Sequence, residues 1–310
     1  MTSAVAFVFP GQGSQSVGMG KALYDQFGVA KQVFAEADEV LGLSLSDLCF
    51  SGPEADLKLT ENTQPAILTM SIAALRVLEA ETDLRPAYVA GHSLGEYSAL
   101  VAVGAVAFHD AVRVVRERGR LMQQAVPAGQ GAMAVVLGLE MDAVRALCAD
   151  ASQDEIVAPA NYNGGGQIVI AGAKSAVARA MNLAKDRGAK RALDLPVSAP
   201  FHCELMRPAA AGLNQVLQNV PVHPFTVGVV TNVEAEVNLD CDRVKHLLVE
   251  QAVRPVRWEE SVKKLSQLGC RRALEVGPGK VLKGLIKRIA PAMDTENFET
   301  PADLARLKAA

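Results

Sequence analysis

Apolar residues follow two alternating rhythms along the chain. Short runs such as Ala4 to Phe9 and Phe225 to Val230 are rich in Val, Phe and Ala and end at Gly or Pro turns, as buried strands do. Between them, longer segments repeat apolar positions every three or four residues, the spacing of a helix face packed on a core. Strands alternating with helices predict an α/β fold with a mostly parallel sheet covered on both faces. From about Gly131 to Pro196 the rhythm changes: strand Ala132 to Leu137, helix from Met141, strands near Ile156 and Ile168, helix from Ser175, strand Ala189 to Leu193. That βαββαβ order predicts an inserted small ferredoxin-like domain. Pro127-Ala-Gly-Gln precedes it and Pro196-Val-Ser-Ala-Pro200 follows it. The expected division is a large domain over 1–126 and 198–310 and a small domain over 127–197. The last stretch is expected to hold helix Asp242 to Val253, stopped by Pro255, strand Ala273 to Val276, a Gly277-Pro-Gly279 turn and a final helix.

One predicted strand end carries chemistry. Around Ser93 the sequence reads Y-V-A-G-H-S-L-G-E-Y-S-A-L, a strand, a G-x-S-x-G turn and a helix-forming run, which is the setting of a nucleophile elbow and makes the large domain α/β-hydrolase-like. The backbone doubles back at such a turn, so Gly91 and Gly95 meet a need for small residues. The main-chain N–H groups after Ser93, beginning with Leu94, then face any oxyanion formed there. The alternative is a tight strand-to-helix turn with Ser93 as N-cap. A serine nucleophile needs a base, and the chain has five histidines, His92, His109, His202, His223 and His246. His92 adjoins Ser93 and should point away from it, His109 starts a helix, His223 lies in a Pro-flanked loop and His246 is an ordinary helical position. His202, in V-S-A-P-F-H-C-E, lies where Pro200 stiffens the return from the small domain, a placement suited to a base. No Asp or Glu stands out as its orienting acid.

The segment Phe108 to Ala125 adds a charge where none is expected. Ala111, Val114, Val115, Leu121, Met122 and Ala125 share one helix face, and Arg118 lies within that stripe, whereas Arg113, Arg116, Glu117 and Arg120 fall on the other side. A guanidinium among apolar neighbours should meet a carboxylate, of the protein or of a ligand, or else snorkel to solvent.

Composition narrows the partners. Half of the 310 residues are apolar and the formal charge is −3, so the chain can bury a large core and lacks the basic excess of a nucleic-acid binder. The five cysteines, Cys49, Cys148, Cys203, Cys241 and Cys270, form no C-x-x-C pair, which indicates neither a zinc site nor a disulfide framework and fits a reducing cytoplasm. The N-terminal stretch lacks the features of a signal peptide, and no apolar run is long enough to predict a membrane span.

These residues together resemble one family, the malonyl-CoA:acyl carrier protein transacylases of bacterial fatty-acid synthesis. The resemblance spans essentially the whole chain and rests on F-P-G-Q-G-S-Q, G-H-S-L-G-E-Y-S-A-L, R-G-R-L-M-Q, A-N-Y-N-G-G-G-Q-I-V-I-A-G, A-P-F-H, V-E-Q-A-V-R-P-V-R-W and E-V-G-P-G-K-V-L. It implies that Ser93 carries the acyl ester, that His202 is the base and that Arg118 grips the free malonyl carboxylate. It further implies an oxyanion hole from the main chain of Gln12 and Leu94, and a main-chain carbonyl at Gln251 orienting His202 in place of an acid. Gln251 also falls on the inner face of its helix with Val244, Leu247 and Leu248. Asn161 and Asn163 resemble the family's pocket amides, and Phe201 the form associated with malonyl rather than branched units. No metal or bound cofactor is implied: malonyl-CoA and holo acyl carrier protein are substrates, and the enzyme is expected to act as a monomer, without membrane or nucleic acid.

Two other readings remain open on residues alone. A serine hydrolase would share the elbow and base, although Arg118 and the missing acid count against it. A nucleotide-binding module using Gly11-Gln-Gly13 or Asn163-Gly-Gly-Gly166 lacks the glycine spacing of a phosphate loop. Between Arg254 and Arg288 the chain carries ten basic residues, among them Lys283 and Lys287, and three acidic, an expected dock for an acidic carrier that solvated helix faces explain nearly as well.

Overall fold

The computed structural model describes residues 4–197 and 199–309; Met1, Thr2, Ser3, Ser198 and Ala310 lie outside the described residues, and with Ser198 one side of the expected boundary after residue 197. Strand β1 (Ala4–Phe9) is followed by helices α1 (Lys21–Gln26), α2 (Gly28–Leu41), α3 (Leu45–Ser51), α4 (Glu54–Leu57) and α5 (Thr60–Glu81), then by β2 (Tyr88–Gly91), α6 (Gly95–Ala102) and α7 (Phe108–Gln124). Next come β3 (Gly131–Leu137), α8 (Met141–Ser152), β4 (Val157–Gly164), β5 (Gln167–Ala173), α9 (Lys174–Asp186) and β6 (Arg191–Asp194). The chain returns through a 3-10 turn at Glu204–Met206 to α10 (Arg207–Gln218), β7 (Gly228–Val230), β8 (Val237–Asn238), α11 (Cys241–Val253) and α12 (Trp258–Gln267). It ends with β9 (Cys270–Val276), α13 (Val281–Ile289), β10 (Asp294–Phe298) and α14 (Pro301–Ala309).

The larger sheet has six strands in the order β10-β9-β1-β2-β7-β8, all parallel except the β7–β8 pair. Central β1 explains its own uninterrupted apolar run. Phe7 and Phe9 pack into one core on one face while Ala6 and Val8 pack into another on the opposite face, so every position must be apolar. Gln12, Ser93 and Asn232 follow the carboxyl ends of β1, β2 and β7, where open parallel sheets place their ligand crevice.

The smaller sheet is antiparallel in the order β4-β5-β3-β6, the ferredoxin-like arrangement expected from the βαββαβ order. Its alternation has two destinations. Ala134, Val136, Ile168 and Ile170 pack on Val144 and Leu147 of α8 and Val177 and Ala180 of α9. The intervening Met133, Val135, Val169 and Ala171 join Met122, Phe201 and Ala252 of the larger body. The second face of the small sheet is thus a wall against the large one.

Two expectations need correction. The helix after the Gly277 turn is not the last element, because β10 and α14 follow it. β10 is an edge strand of sequence Asp-Thr-Glu-Asn-Phe, too polar to read as an apolar run. The strand expected from Phe225 is confined to Gly228–Val230. Among the described residues, no helix is long and apolar enough to cross a membrane.

Candidate active site

The elbow at Ser93 is enforced by close packing. A Cβ on Gly91 would lie 1.9 Å from the carbonyl carbon of Gly95, and one on Gly95 would lie 2.0 Å from the main-chain oxygen of Phe9. Both glycines are therefore steric requirements of β2 and α6 meeting over the end of β1. Ser93 itself has φ 51°, the left-handed region that a non-glycine residue occupies at a cost of about 1–2 kcal/mol. The cap reading fails, because Leu94 is the N-cap of α6 and no side chain caps that helix. Gly95→Ala is expected to destabilise the fold by about 3 kcal/mol or more, seen as a fall in Tm of roughly 10 °C; an unchanged Tm would contradict the close-packed elbow.

His202 reaches Ser93 from the chain returning from the small sheet. Its Nε2 lies 2.7 Å from Ser93 Oγ, and its Nδ1 lies 2.7 Å from the main-chain oxygen of Gln251. A carbonyl only accepts, so Nδ1 carries the proton and donates it, which leaves the Nε2 lone pair for the serine hydroxyl. Burial, and then the charge of Arg118, push the imidazole pKa down to about 3. The free base is therefore neutral from mildly acidic pH upward. His202 has φ 59°, so both members of the pair sit on strained backbone. His92 diverges as expected: its Nε2 lies 2.9 Å from Asn163 Oδ1.

Arg118 is buried, at 2 % exposure, and does not snorkel. Among the described residues no carboxylate pairs with it directly. Instead Nη1 donates to Gln64 Oε1 at 2.8 Å, and Nη2 donates to Gln251 Oε1 at 2.9 Å and to Ser93 Oγ at 3.3 Å. The ring of Tyr97 lies 5.3 Å from its guanidinium carbon, and Nε has no partner although buried. Two amide oxygens hold the cation in place without themselves carrying charge, which leaves it able to receive an incoming anion.

The amides belong to a network that composition and motif reading did not single out. The Gln251 Nε2 group donates to Ser93 O at 3.0 Å and to Glu96 Oε2 at 2.7 Å. Asn232 Oδ1 accepts the Ser93 N–H at 2.7 Å, its Nδ2 donates to Gly91 O at 2.6 Å, and its main-chain N–H donates to Glu96 Oε2 at 3.1 Å. Glu96 is wholly within the core. Burial raises its pKa to about 7, against the opposing pull of the Gln251 and Asn232 hydrogen bonds and the Arg118 charge. Glu96 did carry a signal: it is the one acid in the otherwise apolar and uncharged helix Gly-Glu-Tyr-Ser-Ala-Leu-Val-Ala. Asn232, in a loop after β7, carried none, and Gln64 is one of several uncharged polar residues in α5.

These groups open on a cavity of about 260 Å³. Gln12 and Leu94 both line it, and among the described residues neither main-chain N–H has a protein acceptor. Asn161, Asn163 and Phe201 line it as well, Phe201 on the apolar side with Met122 and Met133. Val281, Leu282 and Leu285 of α13 line it too. Ser93, His202, Gln12, Leu94, Arg118, Asn161, Asn163 and Phe201 thus all line this cavity, and the main-chain oxygen of Gln251 lies beside His202 Nδ1.

Comparison with known proteins agrees with this geometry. A family model described as an acyl transferase domain matches residues 6–299. The malonyl CoA-acyl carrier protein transacylase of Bacillus subtilis is 50% identical over 300 residues, covering 96% of this chain and 94% of that one. A crystal structure of an acyl carrier protein S-malonyltransferase from Vibrio cholerae superposes with a TM-score of 0.96 at 49% identity, covering 98% of this chain and 100% of that one. A malonyl-transacylase solved in complex with its type II PKS acyl-carrier protein gives 0.97 at 46% identity, covering 99% and 100%. With a serine–histidine pair beside a buried arginine, and likeness along nearly its whole length, the chain belongs to the acyl transferase family, among the malonyl CoA-acyl carrier protein transacylases.

Proposed function

We propose that the protein transfers a malonyl group from malonyl-CoA to the pantetheine thiol of holo acyl carrier protein through an ester on Ser93. The observation that carries this reading is the position of one hydroxyl between two groups of different purpose. Ser93 Oγ is 2.7 Å from a neutral imidazole nitrogen and 3.3 Å from a buried guanidinium. The first suits deprotonation of a nucleophile; the second suits a carboxylate attached close to the reacting carbonyl.

In the first half-reaction His202 Nε2 takes the Ser93 proton as Oγ attacks the thioester carbonyl, and the Gln12 and Leu94 N–H groups receive the oxyanion. Collapse expels the thiolate, which leaves as the thiol with the proton from His202. In the second half-reaction the carrier's pantetheine thiol gives its proton to His202 and attacks the ester; collapse breaks the bond to Ser93 Oγ, which takes that proton back from His202. The Gln251 carbonyl orients the imidazole without adding negative charge, sufficient for a thiol that ionises more readily than water. No step calls for a metal or bound cofactor. In this reading residues 1–126 with 198–310 supply the catalytic body, and 127–197 supply the wall bearing Asn161 and Asn163. The acceptor serves chain extension in fatty-acid synthesis, or in polyketide synthesis as in the solved carrier complex.

The ping-pong order is tested by isolating enzyme loaded with malonyl-CoA, removing the free thioester and adding holo carrier. Malonyl carrier should form without further donor. Steady release of free coenzyme A in the absence of carrier would favour a hydrolase.

The carrier's landing site is also narrowed. Arg254, Arg257, Lys263, Lys264 and Arg272 are each paired with a glutamate, and Lys283 donates to Asn297. Lys287 and Arg288 are both exposed on α13, the helix whose Val281, Leu282 and Leu285 line the cavity. Joint replacement Lys287→Glu with Arg288→Glu is expected to raise KM for the carrier about tenfold while leaving Ser93 loading by malonyl-pantetheine, which has no phosphate, unchanged. An unaltered KM would remove α13 from the dock.

A further inference from the structure

Glu96 has no place in the mechanism above, yet it lies two hydrogen bonds from Arg118. Arg118 Nη2 donates to Gln251 Oε1, and Gln251 Nε2 donates to Glu96 Oε2. One amide therefore joins a buried cation to a buried acid. A single oxygen of Glu96 takes both of its hydrogen bonds, from Gln251 and from the Asn232 main chain. Resting on the transfer reading, we propose that Glu96 sets the malonyl preference: as the counter-charge of Arg118 through the Gln251 amide, it competes with the malonyl carboxylate when ionised and yields when protonated.

The electrostatic surroundings make the competition direct. On its own helix α6, Tyr97 is held neutral by burial, which raises its pKa to about 12. From α7 comes Arg118; from the loop after β7 comes Glu234, which is paired with Arg243 at 2.7 Å. The partner from α11 is the neutral Gln251, α5 offers the neutral Gln64 beside Arg118, and at the end of β2 burial lowers the pKa of His92. His202 is neutral above mildly acidic pH. Arg118 is thus the one nearby cation at neutral pH among these groups, and a malonyl ester brings a second anion to it. Adding negative charge raises the proton affinity of an acid. Loading of malonyl, unlike loading of acetyl, should draw a proton onto Glu96, and burial already places its titration near pH 7. By linkage, preference for malonyl over acetyl falls as pH rises through that range. Each pKa unit by which the malonyl ester raises Glu96 corresponds to about tenfold in the preference.

The experiment measures Ser93 acylation by malonyl-pantetheine and acetyl-pantetheine, which carry no titrating phosphate, from pH 6 to 8.5 in wild type and Glu96→Gln. The expected wild-type ratio of malonyl to acetyl rates falls about tenfold across the range. Glu96→Gln can keep both hydrogen bonds on its remaining oxygen and should give a flat ratio, raised at the alkaline end. A second readout needs no variant: in weakly buffered solution at pH 7, an indicator dye should report proton uptake on malonyl loading and none on acetyl loading. A wild-type ratio independent of pH, a Glu96→Gln ratio that keeps the wild-type slope, or absence of uptake overturns the proposal. If malonyl is still preferred in those cases, the transfer reading stands; if Ser93 takes neither group, that reading falls first.

Discussion

Ser93→Ala is expected to take up no malonyl group at all, with transfer reduced by about 10⁵–10⁶-fold. The size of the effect follows from the number of roles one oxygen plays: it is the nucleophile of the proposed mechanism, the hydrogen-bond partner of His202 and a contact of Arg118. Intact-protein mass after brief exposure to malonyl-CoA is the direct measurement, since the wild type should gain one malonyl group and the variant none. A malonyl adduct on the variant would move the nucleophile elsewhere. The same position offers a test of strain. With φ 51° at residue 93, Ser93→Gly should be equally inactive but more stable than Ser93→Ala by about 1 kcal/mol, because glycine enters that region without the steric cost.

Arg118→Ala is expected to reverse selectivity while leaving a working serine and base. A malonyl carboxylate left in the cavity without its cation costs roughly 3–5 kcal/mol, so malonyl loading should fall by about 10²–10³-fold at 1.4 kcal/mol per decade. Acetyl has no carboxylate to leave unpaired and should lose far less. Arg118 also anchors the amides of Gln64 and Gln251, so some general loss is expected from their release. Arg118→Lys separates the two effects: it keeps the charge but cannot present two parallel donors to both amides, and should retain part of the malonyl preference at reduced rate. Loading rates for both acyl groups, compared as a ratio, check this. A ratio unchanged in Arg118→Ala would leave the cavity without its specificity element.

Legibility in the sequence tracks how local each constraint is. The elbow is readable because Gly91, Ser93 and Gly95 lie within one turn and each answers a contact made within that turn or with the adjacent strand. Arg118 is readable because helical period assigns it to a buried stripe, and it is buried. Periodicity left the expected carboxylate to the protein or to a ligand; among the described residues the protein supplies amide oxygens, whose role no spacing rule reveals. The pairing of His202 with Gln251 depends on a main-chain carbonyl, which every residue possesses, so only family resemblance singled it out. Asn232 contacts Ser93 across 139 positions of sequence, with no local pattern to mark it. Edge strand β10 escaped for a related reason: its stability comes from pairing with β9, not from an apolar run of its own.

The long sequence separation of the catalytic pair has a consequence during biosynthesis. Ser93 precedes His202 by 109 residues and Gln251, whose main-chain oxygen accepts from His202, by 158. At roughly 5–20 residues per second, a ribosome that has made the elbow needs on the order of ten seconds to deliver the base and its orienting carbonyl. Throughout that interval the nascent chain carries a serine without an activator. In the proposed mechanism thioester transfer therefore waits until the small sheet has been made and the returning chain has brought His202 to Ser93.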